Sequence, residues 1–520
     1  MKQNFVKGAA ILVIAGLVTR GLGTIYRIFL SRFIGSEAIG LYQMAFPSLI
    51  MLITIVTAGL PVAVSKLVAE ADAKDDIPMV KKILKISLSL VILVSLLVSF
   101  IFYLLIPLLA KYFLTDERVY LALTAIVPII PIISISSILR GFFQGKQNMI
   151  PSANSAIIET IFRMSSGMVL SLSFLPYGAH YAAYGAMIGM VIGEVAGFLT
   201  LIVHFFIGKK KKYTGTKKIV IHKKENIYYK ISRIAIPVTT SQVTGSLAYF
   251  IEPGIVAHSL ALAGISTSIA TAQYGQLAGM ALLIITFPTV ITYSLSQSLI
   301  PAVSEAQAVG NYTLIYKRLH QALNIAYIIG LPATVLMFIL ADPLALILFD
   351  TLQVGHLIKI ISPFAIFLYL QRPLAATLQG LDRAKESMLN SIIGSITKTI
   401  AILILASRPH LGIDGVAVAI NIGMLLVTVL HFRTIINIIG YTIEVKPIIT
   451  ITLAALMTGY IARYVINHTL LILPLGLRLL AALIISAVAY IYLLLLFRVI
   501  KKEDFERIPW VGSKISKIIP

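Results

Sequence analysis

The chain has 520 residues, of which 58% are hydrophobic and only 12% are charged. A soluble protein carries about 25% charged residues, so this composition excludes an ordinary soluble domain and indicates a membrane protein. Basic residues exceed acidic ones by 22, an excess that in a membrane protein reflects basic loops and anionic lipid rather than nucleic acid. Cysteine is absent, which excludes disulfides and thiolate metal sites.

Hydrophobic runs of about 20 residues, the length that crosses a bilayer as a helix, recur along the whole chain. They predict an all-α polytopic membrane protein with about fourteen transmembrane helices. Such unbroken runs do not suit the alternating strands of a β-barrel. The predicted spans are 8–30, 39–64, 83–108, 119–140, 156–175, 182–207, 231–257, 273–298, 319–341, 356–378, 388–406, 413–437, 447–466 and 474–499.

The first hydrophobic stretch contains Arg20 and Arg27, and Arg32 stands at its end. The stretch lacks a small-residue cleavage site and is interpreted as a retained helix. Arg20 and Arg27 are seven residues apart and share one helix face. A charge inside a bilayer span costs at least about 2.5 kcal/mol and normally faces a protein interior or an aqueous cavity. We therefore interpret the three arginines as contacts for an anionic cargo; the alternative is that Arg27 and Arg32 only reach the outer membrane interface.

Acidic residues near or inside the predicted spans have two interpretations each. Glu37, in the short outer turn after the first helix, either forms a surface ion pair, with Arg32 as a candidate partner, or acts as a gate. Glu159 and Arg163, four residues apart, predict a structural ion pair. Glu194 and Glu252 lie within spans and either bind a coupling ion, H+ or Na+, or compensate a neighbouring arginine.

One basic residue of the second half is a further candidate. Lys398 lies near the centre of the eleventh predicted helix. It is either a second cargo contact or a lysine that reaches a polar group in a pocket.

Two halves of the chain resemble each other at an offset of about 230–240 residues. Pro61–Ser65 matches Pro301–Ser304, and Gln144–Gly145 matches Gln379–Gly380, in the same order. The offset spans six helices, so the repeats are parallel, and cargo is expected between two bundles. The predicted domains are a first bundle over 1–207, a basic cytoplasmic linker over 208–230, a second bundle over 231–440, two extra helices over 441–500 and a basic tail over 501–520.

Lysine and arginine crowd alternate connections, which places both termini in the cytoplasm. The patterns of enzymes are missing from the sequence. Gly141–Lys146 lacks the Ser or Thr that a phosphate-binding loop requires, and the nine histidines show no ligand spacing. We expect no metal, no cofactor and no catalytic residue.

The opening residues resemble a known family. The start of the sequence resembles that of polysaccharide exporters in the MOP flippase superfamily, at Arg20-Gly-Leu-Gly23, Arg27, Ser31-Arg32-Phe-Ile-Gly35, Glu37 and Gly40-Leu-Tyr42. The stage V sporulation protein B branch of that superfamily is most similar in the segment that follows, Gly59-Leu-Pro-Val-Ala-Val-Ser-Lys66. The resemblance implies a fourteen-helix, alternating-access exporter rather than an enzyme. It implies first-helix arginines, here Arg20, Arg27 and Arg32, that line a cationic cavity, and last two helices that form a lipid-tail groove.

The cargo implied by this resemblance is an undecaprenyl-diphosphate-linked glycan. The peptidoglycan precursor lipid II, moved to the outer leaflet of the cytoplasmic membrane for spore cortex synthesis, is the expected case. Membrane lipids are the other expected partners, and the chain is expected to act as a monomer. Two alternatives stay open: a cation-coupled multidrug exporter of the same superfamily, and a membrane glycosyl or prenyl transferase.

Overall fold

A computed structural model describes residues 5–57, 59–209, 227–469 and 471–499. Most of the predicted linker over 208–230 and the whole predicted tail over 501–520 lie outside the described residues. The described chain is helical throughout. Its α-helices are α1 Phe5–Thr57, α2 Leu60–Ala73, α3 Ile77–Leu108, α4 Val119–Gly145, α5 Ile150–Phe174, α6 Ala179–Lys209, α7 Ile227–Leu262, α8 Thr267–Tyr274, α9 Leu282–Thr286, α10 Thr289–Ala308, α11 Tyr312–Ile339, α12 Ala341–Phe349, α13 Leu352–Ile361, α14 Ala365–Gly380, α15 Ala384–Leu405, α16 Gly412–Ile439, α17 Val445–His468 and α18 Leu475–Leu496.

Within these residues, twelve helical segments are long and apolar enough to cross a membrane. One of them, Ile14–Ala73, is 60 residues long and covers two predicted crossings. Dividing that segment and adding α7, which covers the predicted span 231–257, gives the fourteen crossings that the sequence predicts. The fold class predicted from hydropathy is therefore confirmed.

A backbone break divides α1 at Gly35. This glycine has φ 82° and ψ 169°, a conformation that essentially only glycine adopts. The two sides of the break are packed differently: residues 38–45 are all buried, whereas Arg20 and Arg27 before the break are exposed. The predicted turn between the first two spans is thus a single residue inside a longer helical segment.

The described helices form two compact units. The first consists of the described residues of Met1–Gly279 and Ala406–Ile413, and the second consists of the described residues of Met280–Leu405 and Asp414–Pro520. Helices α7 and α8 thus group with the first unit, whereas the predicted second bundle begins at 231. The division into six-helix bundles at 208–230 stays a prediction.

Glycines account for the grouping of α7 and α8 with the first unit. A Cβ atom at Gly59 would overlap the backbone of Ala235 on α7. A Cβ atom at Gly40 would overlap the carbonyl of Thr271 on α8, and one at Gly275 would overlap the carbonyl of Ser36. Small residues allow helix backbones to approach this closely in membrane proteins.

The internal repeat is visible in equivalent contacts inside each unit. In the first unit, Gly145 on α4 lies against Ser65 and Val68 of α2. In the second unit, Gly380 on α14 lies against α10, whose Ser304 hydroxyl donates to the Gly380 carbonyl at 3.1 Å. The sequence motifs that repeat therefore make the same kind of helix–helix contact twice.

The two extra helices of the second unit pack on α11. Ala454 and Ala455 of α17 and Leu494 of α18 share one buried cluster, against which residues of α11 pack. The Tyr490 hydroxyl of α18 donates to the Ile328 carbonyl at 2.8 Å. These contacts attach α17 and α18 to the repeat that precedes them.

The close approach of α1 and α8 predicts a contrast between two glycines of α1. We expect Gly40→Ala to destabilise the protein by about 1–3 kcal/mol or more, because the methyl group has no space beside Thr271. Gly23→Ala is the control: its Cβ meets nothing within 4 Å, and alanine favours a helix by about 0.5–1 kcal/mol. Thermal unfolding in detergent measures both; equal melting temperatures for the two variants would contradict the packing described.

Candidate functional site

The exposed face of α1 carries the predicted cargo arginines. Arg20 and Arg27 are both exposed and lie on the same side as Gly16 and Gly23, since these positions repeat every three to four residues. A side chain at either glycine would enter open space. Ala15, Tyr26 and Leu30 of the same helix are buried. This face of α1 therefore presents two guanidinium groups beside two glycines.

Arg27 lies among aromatic side chains of the first unit. Its guanidinium carbon is 5.6 Å from the centre of the Phe46 ring, within cation–π distance. It also interacts electrostatically with Tyr42 and with Tyr249 of α7. Aromatic surroundings of this kind help to orient a guanidinium group.

The other two predicted cations are Arg32 and Lys398. Arg32 is exposed, three residues before the break at Gly35. Lys398 belongs to the second unit, where its aliphatic chain lies against Gly423 of α16. The grouping of Arg20, Arg27, Arg32 and Lys398 as one cargo site stays a prediction.

A second charged site, the Arg118 cluster, consists of Glu37, Asp116, Arg118, Ser268 and Thr271. Arg118 donates to Glu37 at 2.5 Å and to both oxygens of Asp116 at 2.9 and 2.8 Å. Ser268 donates to Glu37, and Thr271 donates to Asp116 at 2.7 Å. The cluster therefore connects α1, the connection between α3 and α4, and α8.

Sequence reasoning missed Arg118 as a partner of Glu37. The two residues are 81 positions apart, so no helical spacing relates them. The available signal was the pair of opposite charges at Asp116 and Arg118, in a short connection between two apolar spans. Arg32 was the candidate partner because it is near in sequence.

Asp116 is held in its charged form. Burial alone would raise the pKa of Asp116, but hydrogen bonds from Arg118 and Thr271 outweigh this effect and lower the pKa below its usual value. The side chain is only 2% exposed, so its charge is stabilised by these donors rather than by water.

This lowered pKa predicts how the stability of the first unit depends on pH. A carboxyl group whose pKa is lower in the folded state stabilises that state above the unfolded value of about 3.9, and the contribution is lost as pH falls through the folded pKa. We expect Asp116→Asn to cost about 1–3 kcal/mol at neutral pH and to remove this acid dependence. Melting temperatures from pH 3 to 7 test it.

Glu117→Gln is the matched control for that experiment. Glu117 is the neighbouring residue in the same connection, but its side chain is exposed. A Glu117→Gln variant should keep the pH profile of the parent protein. A parallel loss in both variants would show that the hydrogen bonds of Asp116 are not responsible.

A third charged site is buried between α4, α5 and α6. Glu159 is 3.2 Å from Arg163 on the same helix and 2.8 Å from Arg140 of α4. Glu194 of α6 lies within hydrogen-bond reach of Glu159. One oxygen of Glu194 is buried and has no hydrogen-bond partner among the residues that the structure describes. A buried carboxylate oxygen without a partner is costly, so this position suits a bound proton or cation.

Glycines of α6 bring these charges together. Glycine recurs at every fourth residue along one side of α6 and lies against α5 each time, at Gly185, Gly189, Gly193 and Gly197. A Cβ at Gly193 would meet Arg163, and one at Gly197 would meet Glu159. The stripe therefore sets the distance between α5 and α6 at which Glu194 reaches Glu159.

Glu252, the remaining predicted coupling residue, lies on α7 and is partly buried. It interacts electrostatically with Tyr249 and Tyr274 of the first unit. The structure thus brings Glu252 near the surroundings of Arg27 rather than near Glu194. Over the described ranges, acidic and histidine side chains form no group of three that could hold a metal ion.

Known proteins resemble the chain over its whole length. A family model described as polysaccharide biosynthesis protein matches residues 5–267, and one described as MatE matches residues 263–405. The chain is 42% identical to Stage V sporulation protein B of Bacillus subtilis (strain 168), over 99% of this chain and 100% of that protein. It is 24% identical to Lipid II flippase MurJ of the same organism, over 88% of each.

A solved structure shows the same fold. Lipid II flippase MurJ in an inward closed conformation superimposes with a TM-score of 0.72 at 18% identity, covering 94% of this chain and 98% of that chain. Fold and matches together define a multi-pass membrane flippase of the MOP superfamily, and not an enzyme. Within it, the chain belongs to the polysaccharide biosynthesis protein family.

Proposed function

We propose that the protein moves an undecaprenyl-diphosphate-linked glycan, lipid II, from the inner to the outer leaflet of the cytoplasmic membrane by alternating access. The observation that carries the proposal is the exposed face of α1, on which Arg20 and Arg27 project beside Gly16 and Gly23. A diphosphate head is strongly anionic, and the planar fork of arginine binds phosphate oxygens in pairs. Arg32 and Lys398 are proposed as further contacts.

The names of two relatives support this cargo. Lipid II is the cargo in the name of the flippase that is 24% identical, and sporulation is the process in the name of the relative that is 42% identical. From these we infer a role in peptidoglycan synthesis during spore formation. Both termini are proposed to lie in the cytoplasm, and the protein is proposed to act as a monomer.

A multidrug exporter is the second candidate, favoured by the MatE match over residues 263–405. A site for cationic drugs should present carboxylates. The exposed face of α1 presents guanidinium groups instead, which favours the anionic cargo. Expression in a dye-sensitive strain separates the two candidates, because cationic dye efflux is expected only from a drug exporter.

Removal of either α1 arginine should impair transport. We expect Arg20→Ala and Arg27→Ala each to reduce lipid II translocation by at least about tenfold, because a charge-assisted hydrogen bond contributes about 1.5–3 kcal/mol. The measurement is translocation in vesicles, together with growth of a strain lacking all lipid II flippases.

Arg233→Ala is the matched control for these variants. Arg233 is an exposed arginine on α7 of the same unit, outside the face of α1. It should leave translocation within about twofold of the parent value. Full activity of Arg20→Ala and Arg27→Ala would refute the cargo role, and equal losses in all three variants would point to net charge alone.

We propose Glu194 as the residue that binds a coupling proton or sodium ion, because its buried oxygen lacks a partner beside Glu159. Glu194→Gln keeps the shape but cannot bind or release the ion. Transport by this variant should no longer respond to an imposed pH or sodium gradient, while cargo binding persists. Glu252→Gln, tested beside it, distinguishes the two predicted coupling residues; an unchanged gradient response in Glu194→Gln would exclude Glu194.

Glu37 is proposed to act as part of a gate. It joins α1 to α8 through Ser268 and to the α3–α4 connection through Arg118. Breaking these hydrogen bonds would separate α1 from α8 at Glu37, which the sequence analysis places on the outer side of the membrane.

A further inference from the structure

The second unit contains an apolar cavity of about 560 Å³, within the range of about 300–1,000 Å³ typical of ligand sites. It lies between α11, α14 and α16, beside the start of α17. Its walls are mostly aliphatic and aromatic, and include Leu331, Ile366, Leu370 and Val429. Val429 is 50% exposed, so the cavity is accessible from outside the protein.

A polar pocket of about 330 Å³ adjoins this cavity. Arg433 and Asn437 line both spaces. They are four residues apart on α16 and therefore share one face of the helix. Asn390 and Thr434, which also line the polar pocket, are hydrogen-bonded to each other at 3.0 Å. The apolar cavity thus meets the polar pocket at Arg433.

Two arginines line the polar pocket, and only one of them is paired with a carboxylate in the described part of the chain. Arg383 is paired with Glu386 at 2.9 Å. Arg433 is exposed and has no hydrogen bond or ion pair with any residue that the structure describes. The Arg433 charge is therefore available to an anion whose apolar chain occupies the adjoining cavity.

We propose that this site binds an anionic membrane phospholipid, with an acyl chain in the apolar cavity and its phosphate on Arg433 and Asn437. One available guanidinium matches the single charge of a phosphodiester. A diphosphate-linked glycan would bring more charge and a head group larger than the 330 Å³ pocket. The occupant is therefore a bulk lipid rather than the transported cargo, and the inference is independent of the proposed function.

Native mass spectrometry of the full chain, titrated with phosphatidylglycerol, tests the proposal. Phosphatidylglycerol should be retained in preference to phosphatidylcholine, and Arg433→Gln should weaken its binding by at least about tenfold. Val429→Trp, which fills the cavity, should weaken it similarly while leaving thermal unfolding unchanged. Glycerol 3-phosphate, which lacks acyl chains, should not compete.

Arg383→Gln is the matched control, because the charge of Arg383 is already paired with Glu386. It should change phosphatidylglycerol binding by less than about twofold. Equal effects of Arg383→Gln and Arg433→Gln, or no preference for phosphatidylglycerol over phosphatidylcholine, would overturn the proposal. Competition by glycerol 3-phosphate would show a plain phosphate site, and stronger competition by undecaprenyl diphosphate would assign the cavity to the cargo; either result would also overturn it.

Discussion

The cost of placing charge in an apolar environment determines where every functional residue of this protein lies. With 58% hydrophobic residues, the chain can keep a charge within its helices only if the charge is paired or open to a polar space. Both solutions occur in the first unit. Glu159 is paired with Arg140 and Arg163, and Arg20 and Arg27 project from an exposed face. Some charges of this unit therefore hold helices together, and others lie where a polar space can reach them.

Glycine makes this arrangement of charges possible. Helices that approach through Gly193 and Gly197 bring carboxylates of α5 and α6 together. Helices that approach through Gly40 and Gly275 bring Ser268 and Thr271 of α8 to the carboxylates bound by Arg118. Where glycines face open space, as at Gly16 and Gly23, they instead leave room beside arginines. Glycine therefore allows close helix packing at some positions and leaves open space beside an arginine at others.

Much of the fold could be predicted from sequence because hydrophobic length and repeated motifs are local or periodic signals. The same holds for the shared face of Arg20 and Arg27, since seven residues make two helical turns. Contacts between distant residues gave no such signal. No spacing in the sequence relates Glu37 to Arg118, or Glu159 to Glu194, because tertiary packing determines which residues form these pairs. The grouping of α7 with the first unit likewise depends on the approach of Gly59 to Ala235.

The break at Gly35 gives α1 a mechanical property that its length conceals. An unbroken helix transmits a push along its axis, because each backbone hydrogen bond couples one turn to the next. At φ 82° and ψ 169° that coupling is interrupted, between the buried segment over 38–45 and the segment that carries Arg20 and Arg27. A push along one segment of α1 is therefore not passed to the other through an unbroken series of backbone hydrogen bonds, because the series stops at Gly35.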